Sequence, residues 1–206
     1  MSNALEEILK NSQLIWRAGD IQKKGQKTFP TGYSEFDNAL PGRGWPQSSL
    51  IEIIVSNWGM GELQLLIPLL KQITQNTYYA VLISPPYIPY TPALHQQGIA
   101  LKNMIVMPKE YIGEQCLWVL EKVLNTQTCG VAIAWPKKLT DKSMRRLQLA
   151  AEQGGSIAIV FQNREASSSP AALRIRLIRL KAGLQIDILK ARGGSRFRRV
   201  VISLNN

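Results

Sequence analysis

Between Ser49 and Phe161 the chain alternates two hydrophobic patterns. Continuous apolar runs occupy 49–55 (SLIEIIV), 78–84 (YYAVLIS), 103–107 (NMIVM), 130–135 (GVAIAW) and 156–161 (SIAIVF), and each has the length and branching of a strand buried on both faces. Three of the stretches between them carry apolar residues at helical spacing: Leu66, Leu69, Leu70 and Ile73 in 62–75, Leu117, Leu120 and Leu124 in 114–125, and Met144, Leu147 and Ala151 in 141–153. Pro68 lies inside the first of these, where a proline costs a helix about 3 kcal/mol. Strands alternating with helices predict βαβ units, hence an α/β fold with a mainly parallel sheet.

The rhythm breaks at both ends. Residues 172–180 (ALRIRLIRL), 184–190 (LQIDILK) and 196–204 (RFRRVVISL) read as antiparallel strands, with turns at Gly183 and at Gly193-Gly194. At the other end, Leu5, Ile8 and Leu9 mark a short helix over 3–12, and the polar, glycine-containing stretch 17–31 reads as a linker. The expected organisation is an N-terminal helical arm and linker (1–29) followed by one core domain (30–206) whose last part, 163–206, holds the antiparallel strands.

Composition narrows the function. With 45% hydrophobic residues the chain is not disordered, and no apolar run reaches the roughly 18 residues of a membrane span. Glu6 and Glu7 stand where a secretory leader carries positive charge, so a cytoplasmic protein with no membrane partner is expected. Cys116, Cys129 and one histidine cannot supply the four ligands of a structural zinc site, so no metal is expected. His95 reads as a surface histidine and the cysteines as core. The net charge of +11 is unevenly placed. Residues 1–136 balance, and the whole excess falls in 137–206. Such a field attracts acidic partners and polyanions.

A strand, a glycine turn and a helix near the start of an α/β domain form the setting of a phosphate-binding loop. Here the turn reads Ser56-Asn57-Trp58-Gly59-Met60-Gly61-Glu62-Leu63. Glu62 stands in place of the lysine and Leu63 in place of the metal-binding hydroxyl. At about 4 Å, with an effective dielectric of about 20, one unit charge is worth roughly 4 kcal/mol, and here attraction is exchanged for repulsion. The strand 131–134 runs into Trp135-Pro136 where a metal-binding carboxylate would sit, and Pro85-Pro86 follow the second strand where a catalytic glutamate would. Three parts of the chemistry are missing together, so neither an enzyme nor a cofactor is expected. Ser56, Gly59, Gly61, Glu62 and Leu63 read as a vestigial loop, with residual anion binding at the two glycines as a lesser alternative. Trp58 and Met60 either plug the old pocket or stand out as a docking knob.

The segment PTGYSEFDNALPGRGWPQSSLIEI (30–53), with Thr31-Gly32, Phe36-Asp37, Ala39-Leu40, Gly44 and Glu52-Ile53, resembles the opening of the RecA core. Trp16-Arg17, ALPGRGWP (39–46), Gly61-Glu62-Leu63, Pro85-Pro86, Ala134-Trp135-Pro136, RRLQLAAEQGG (145–155), SPAALRIRL (169–177) and GLQIDILKARGG (183–194) resemble the ImuA family, RecA-like accessory proteins of damage-induced mutagenesis related to the SulA group of SOS proteins. The resemblance implies a RecA-like P-loop-type core and a role in SOS-induced translesion synthesis. It implies RecA, an ImuB-like Y-family polymerase homologue and an alternative replicative-type polymerase as partners, with single-stranded DNA as a further one. The alternative within the same group is a SulA-type inhibitor of cell division acting on the division GTPase.

The residues expected to carry binding are Arg164, Arg174, Arg176, Lys190, Arg192, Arg196, Arg198 and Arg199. Alternation in 172–180 places Arg174 and Arg176 on one face. Basic residues on an exposed edge also serve solubility alone, and the last 70 residues offer only Phe161 and Phe197 as stacking aromatics.

Overall fold

In a computed structural model, which describes residues 27–108, 114–163, 168–194 and 197–204, the run Ser49–Val55 is the third strand, β3, and every one of its residues is buried. The other strands are β1 (Thr28–Phe29), β2 (Trp45–Pro46), β4 (Tyr79–Ile83), β5 (Met104–Met107), β6 (Cys129–Ala134), β7 (Ile157–Gln162), β8 (Leu173–Leu180), β9 (Gly183–Ala191) and β10 (Arg198–Ser203). The helices are α1 (Ser34–Ala39), α2 (Glu62–Gln75), α3 (Thr91–Gln96), α4 (Glu114–Leu124) and α5 (Asp141–Gly154). The arm predicted over 3–12 lies outside the described residues.

Eight strands form one sheet in the order β10-β9-β8-β3-β7-β6-β4-β5, and β1 pairs with β2 apart from it. The strands from β3 to β5 are parallel, as the βαβ pattern predicts. The antiparallel strands expected in 172–204 are present as β8–β9 and β9–β10, and β8 is in addition parallel to β3, so these strands extend the main sheet. The stretch 17–31 is not linker throughout. Thr28 and Phe29 pair with Pro46 and Trp45, and buried Thr31 donates its backbone N–H to Asp37 Oδ1 at 2.9 Å. A two-residue strand leaves no periodicity to read.

The sheet has two faces with different cover. Ile51, Ile53, Val55, Ile133, Ile159, Ile175, Leu177, Ile186 and Ile202 point to the side of α2, where Leu65, Leu66, Leu69 and Leu70 complete the core. Leu50, Val81, Ala132, Ala158 and Val160 point to the side of α4 and α5, against Leu120, Leu124, Met144 and Leu147. Cys116 and Cys129 lie in this second core, and burial pushes the Cys129 thiol up to about 12. His95 is exposed on α3. On this second side α4 and α5 cover only the parallel part of the sheet.

Pro68 does not break α2. A proline cannot donate to the carbonyl four residues back, which here is Gln64 O. The Tyr33 hydroxyl reaches that carbonyl at 3.4 Å instead. Gly32, at φ +87°, lets the chain pass the proline ring, and a Cβ there would meet Pro68 Cγ at 2.5 Å.

Candidate functional site

The loop after β3 turns through Gly59 (φ +82°) and Gly61 (φ +100°), left-handed conformations that side-chain-bearing residues rarely adopt. Two successive N–H groups, Gly59 N and Met60 N, then point at the start of α2. Both donate to the Glu62 carboxylate, each at 2.9 Å, one to each oxygen. Glu62 is buried, 5% exposed. The carboxylate thus takes the donors that a bound anion would use, and its charge also suits a helix N-terminus. By residue type alone, Glu62 is expected to repel a phosphate. Its folding back onto the loop goes further, and only the tertiary geometry reveals it.

The surroundings close the loop further. Arg179 on β8 donates to Met60 O at 3.3 Å, and a Cβ on Gly61 would meet Leu204 Cδ1 at 2.8 Å. Trp58, Met60 and Leu63 are half-buried and pack against the α2-side core, so Trp58 and Met60 line the fold rather than stand out from it. Ser56 is exposed. At the end of β6, Trp135 stacks on Phe161 with centroids 5.1 Å apart and planes 12° apart. Among the described residues no group of three or more His, Cys, Asp or Glu is placed to hold a metal ion.

The basic residues do not form one surface. Arg174 is buried, with Nε 3.0 Å from Glu52 Oε2, and Glu52 is fully buried in the middle of β3. It is therefore removed from the docking set, because its charge is committed to an interior ion pair. The signal for this was Glu52 itself, a lone carboxylate in an apolar run that requires a partner. Arg198 lies on the α2 side and donates to Ala39 O at 3.2 Å. Arg164 and Arg196 lie outside the described residues.

Arg176, Lys190 and Arg199 do share the second face of the sheet. Arg176, Asp187 and Arg199 are register partners across β8, β9 and β10. Arg199 grips Asp187 with Nε at 2.7 Å and a terminal nitrogen at 3.3 Å. That bond, helped by Gln185 and by the charges of Arg199 and Arg176, outweighs burial and holds the Asp187 carboxyl below its ordinary range. Lys190 pairs in register with Arg174 and donates to Ser169 O at 2.7 Å. Desolvation, then the charges of Arg192 and Arg174, lower the Lys190 ammonium from its usual value. Arg192 stands at the end of β9, 3.7 Å from Glu152 of α5. Arg179, which is not among the binding residues expected from sequence, bonds the glycine loop at Met60 O.

Among the described residues no helix is long and apolar enough to cross a membrane. The family model described as cell division inhibitor SulA matches residues 50–158, from β3 into β7. The chain is 28% identical over 132 residues to the cell division inhibitor SulA of Edwardsiella piscicida, covering 62% of this chain and 76% of that protein. It is 28% identical over 99 residues to the SulA proteins of Yersinia pestis and Yersinia pseudotuberculosis, covering 48% of this chain and 58% of theirs. These matches overturn the partners that the ImuA resemblance implied. RecA, the ImuB-like polymerase homologue, the replicative-type polymerase and single-stranded DNA belong to a translesion assembly, whereas the family and these relatives are named for inhibition of cell division. With a family match over more than half of its residues, the chain belongs to the SulA family.

Proposed function

We propose that this chain is a non-catalytic, SOS-related inhibitor of cell division that acts in the cytoplasm by binding the division GTPase, on a core descended from a RecA-like P-loop fold. The observation that carries the reading is the family match over 50–158. It supports the division reading over the translesion one. The closed loop supports the non-catalytic part. Glu62 occupies the N–H donors, Leu63 stands in place of a hydroxyl and Trp135 in place of a carboxylate, which supports a role in binding partners without turnover at this loop. The parallel sheet, with this loop between its central strand and the following helix, supports the RecA-like descent.

The test is controlled expression in a rod-shaped bacterium, paired with light-scattering assembly of the purified division GTPase. The expected result is undivided filamentous cells and less GTPase assembly, with no ATP consumed by the inhibitor. Normal cell length while soluble protein accumulates, together with unaltered GTPase assembly, overturns the proposal.

A further inference from the structure

α4 and α5 cover the parallel strands on the second side of the sheet, but the same side of β8, β9 and β10 carries no helix among the described residues. Its composition is specific. The carboxylates Glu52 and Asp187 lie at the base, 0% and 2% exposed. Above them stand the cations Arg176, Lys190 and Arg199, the last with a side chain 54% exposed. Apolar side chains flank the Arg199–Asp187–Arg176 row. Val201 is 54% exposed on β10, and Ile178, its row neighbour through Gln185, is half-buried on β8. Phe197, also 54% exposed, lies at this edge with the Arg199 guanidinium 5.8 Å from its ring centre. Buried anions under the cations give solvent a positive face, and the Val, Ile and Phe side chains that flank the cations give an occupant apolar surface to bury.

We propose that this face of β8–β10 binds an acidic protein segment, which lies across it as α5 lies across β3 and β7. Charge complementarity selects the occupant, because the chain's whole excess of positive charge falls in the last third, to which these strands belong. A protein segment fits better than nucleic acid, since the face offers bases one aromatic, Phe197 at its rim, beside the aliphatic Val201 and Ile178. The proposal goes beyond the division reading, because β8–β10 lie outside residues 50–158 that the family model matches.

The experiment uses the full chain and a fluorescein-labelled amphipathic peptide with a leucine stripe and glutamates elsewhere, followed by anisotropy. Its glutamine counterpart and labelled oligo-dT are run beside it. Arg176→Gln/Lys190→Gln removes two charges from the face and keeps the Arg199–Asp187 pair, and Lys137→Gln/Lys138→Gln removes two from exposed positions after β6. Val201→Glu places a carboxylate on the edge strand of the face, beside the cation row, without removing a member of an ion pair. The expected result is binding of the glutamate peptide that weakens about tenfold in the face variant and in Val201→Glu, and less than about threefold in the remote variant. Equal loss in both double variants, equal binding of the glutamine peptide, or absence of binding overturns the proposal. Tighter binding of oligo-dT, lost in the face variant, reassigns the face to nucleic acid and overturns it as well. Circular dichroism of each variant separates loss of binding from loss of fold.

Discussion

The Glu52–Arg174 pair puts two opposite charges inside the sheet, with side chains 0% and 8% exposed. Removing charges from water is costly, so such a pair adds little net stability, but removing one member leaves the other uncompensated. Arg174→Met therefore should destabilise the chain by about 3–5 kcal/mol, and Glu52→Met/Arg174→Met by clearly less. Urea titrations of the two variants and the parent check this. Equal costs would mean that Glu52 is satisfied elsewhere. Glu62 is the second buried carboxylate on β3 or the helix that follows, and its two N–H partners are three and two residues back in sequence. Substitution of the phosphate chemistry was legible from residue types alone. That Glu62 satisfies the loop it blocks was not, because any exposed glutamate at a helix start would read the same way.

At the scale of elements, β3, β4, β6 and β7 were legible because they are buried on both faces as nearly unbroken apolar runs. By contrast β5, expected to be buried too, is the sheet's edge strand with Ile105 44% and Val106 37% exposed, and β8–β10 were legible from alternation. The observed strands from β4 to β10 begin and end within two residues of the predicted runs. What the runs do not carry is direction. Nothing in LRIRLIRL distinguishes pairing with β3 in parallel from pairing with β9 alone, and β8 does both. The short pieces β1, β2 and α1 left too few positions for a period. The helix through Pro68 shows a tertiary contact overriding a local penalty. Tyr33→Phe takes the hydroxyl from Gln64 O and should cost about 0.5–1 kcal/mol. In a Pro68→Ala background a backbone N–H at 68 can serve the same carbonyl, so the tyrosine's loss should then cost close to nothing. Thermal melts of the four proteins form the cycle. A Tyr33→Phe cost that is unchanged by Pro68→Ala would assign the effect to lost packing around the ring, whose burial also raises the Tyr33 hydroxyl above its ordinary value.

At the scale of the molecule, the boundary of the family match and the boundary of the folding unit differ. Residues 50–158 include β3 through the start of β7, yet β3 sits between β7 and β8 and is buried on both faces. Leu173, Ile175, Leu177, Leu184, Ile186, Ile188 and Ile202 of the last three strands belong to the same apolar core as Ile51, Ile53 and α2. Removing β8–β10 would expose the edge of β3, strip that core of seven large buried apolar side chains, and leave Glu52 buried without Arg174. Each fully buried Ile or Leu contributes about 1.5–3 kcal/mol, so this loss alone matches or exceeds the roughly 5–15 kcal/mol that holds a domain folded. A chain ending at residue 163 should therefore show no cooperative thermal transition and should expose apolar surface to a dye such as ANS, while the full chain melts in one step. A truncated chain that melts cooperatively would instead make β8–β10 a dispensable addition. The positive face would then be free to vary without the fold. If the strands are required, the face is carried on structure the fold cannot lose, and substitutions that change its charge must keep the Arg199–Asp187 and Arg174–Glu52 pairs that seat it.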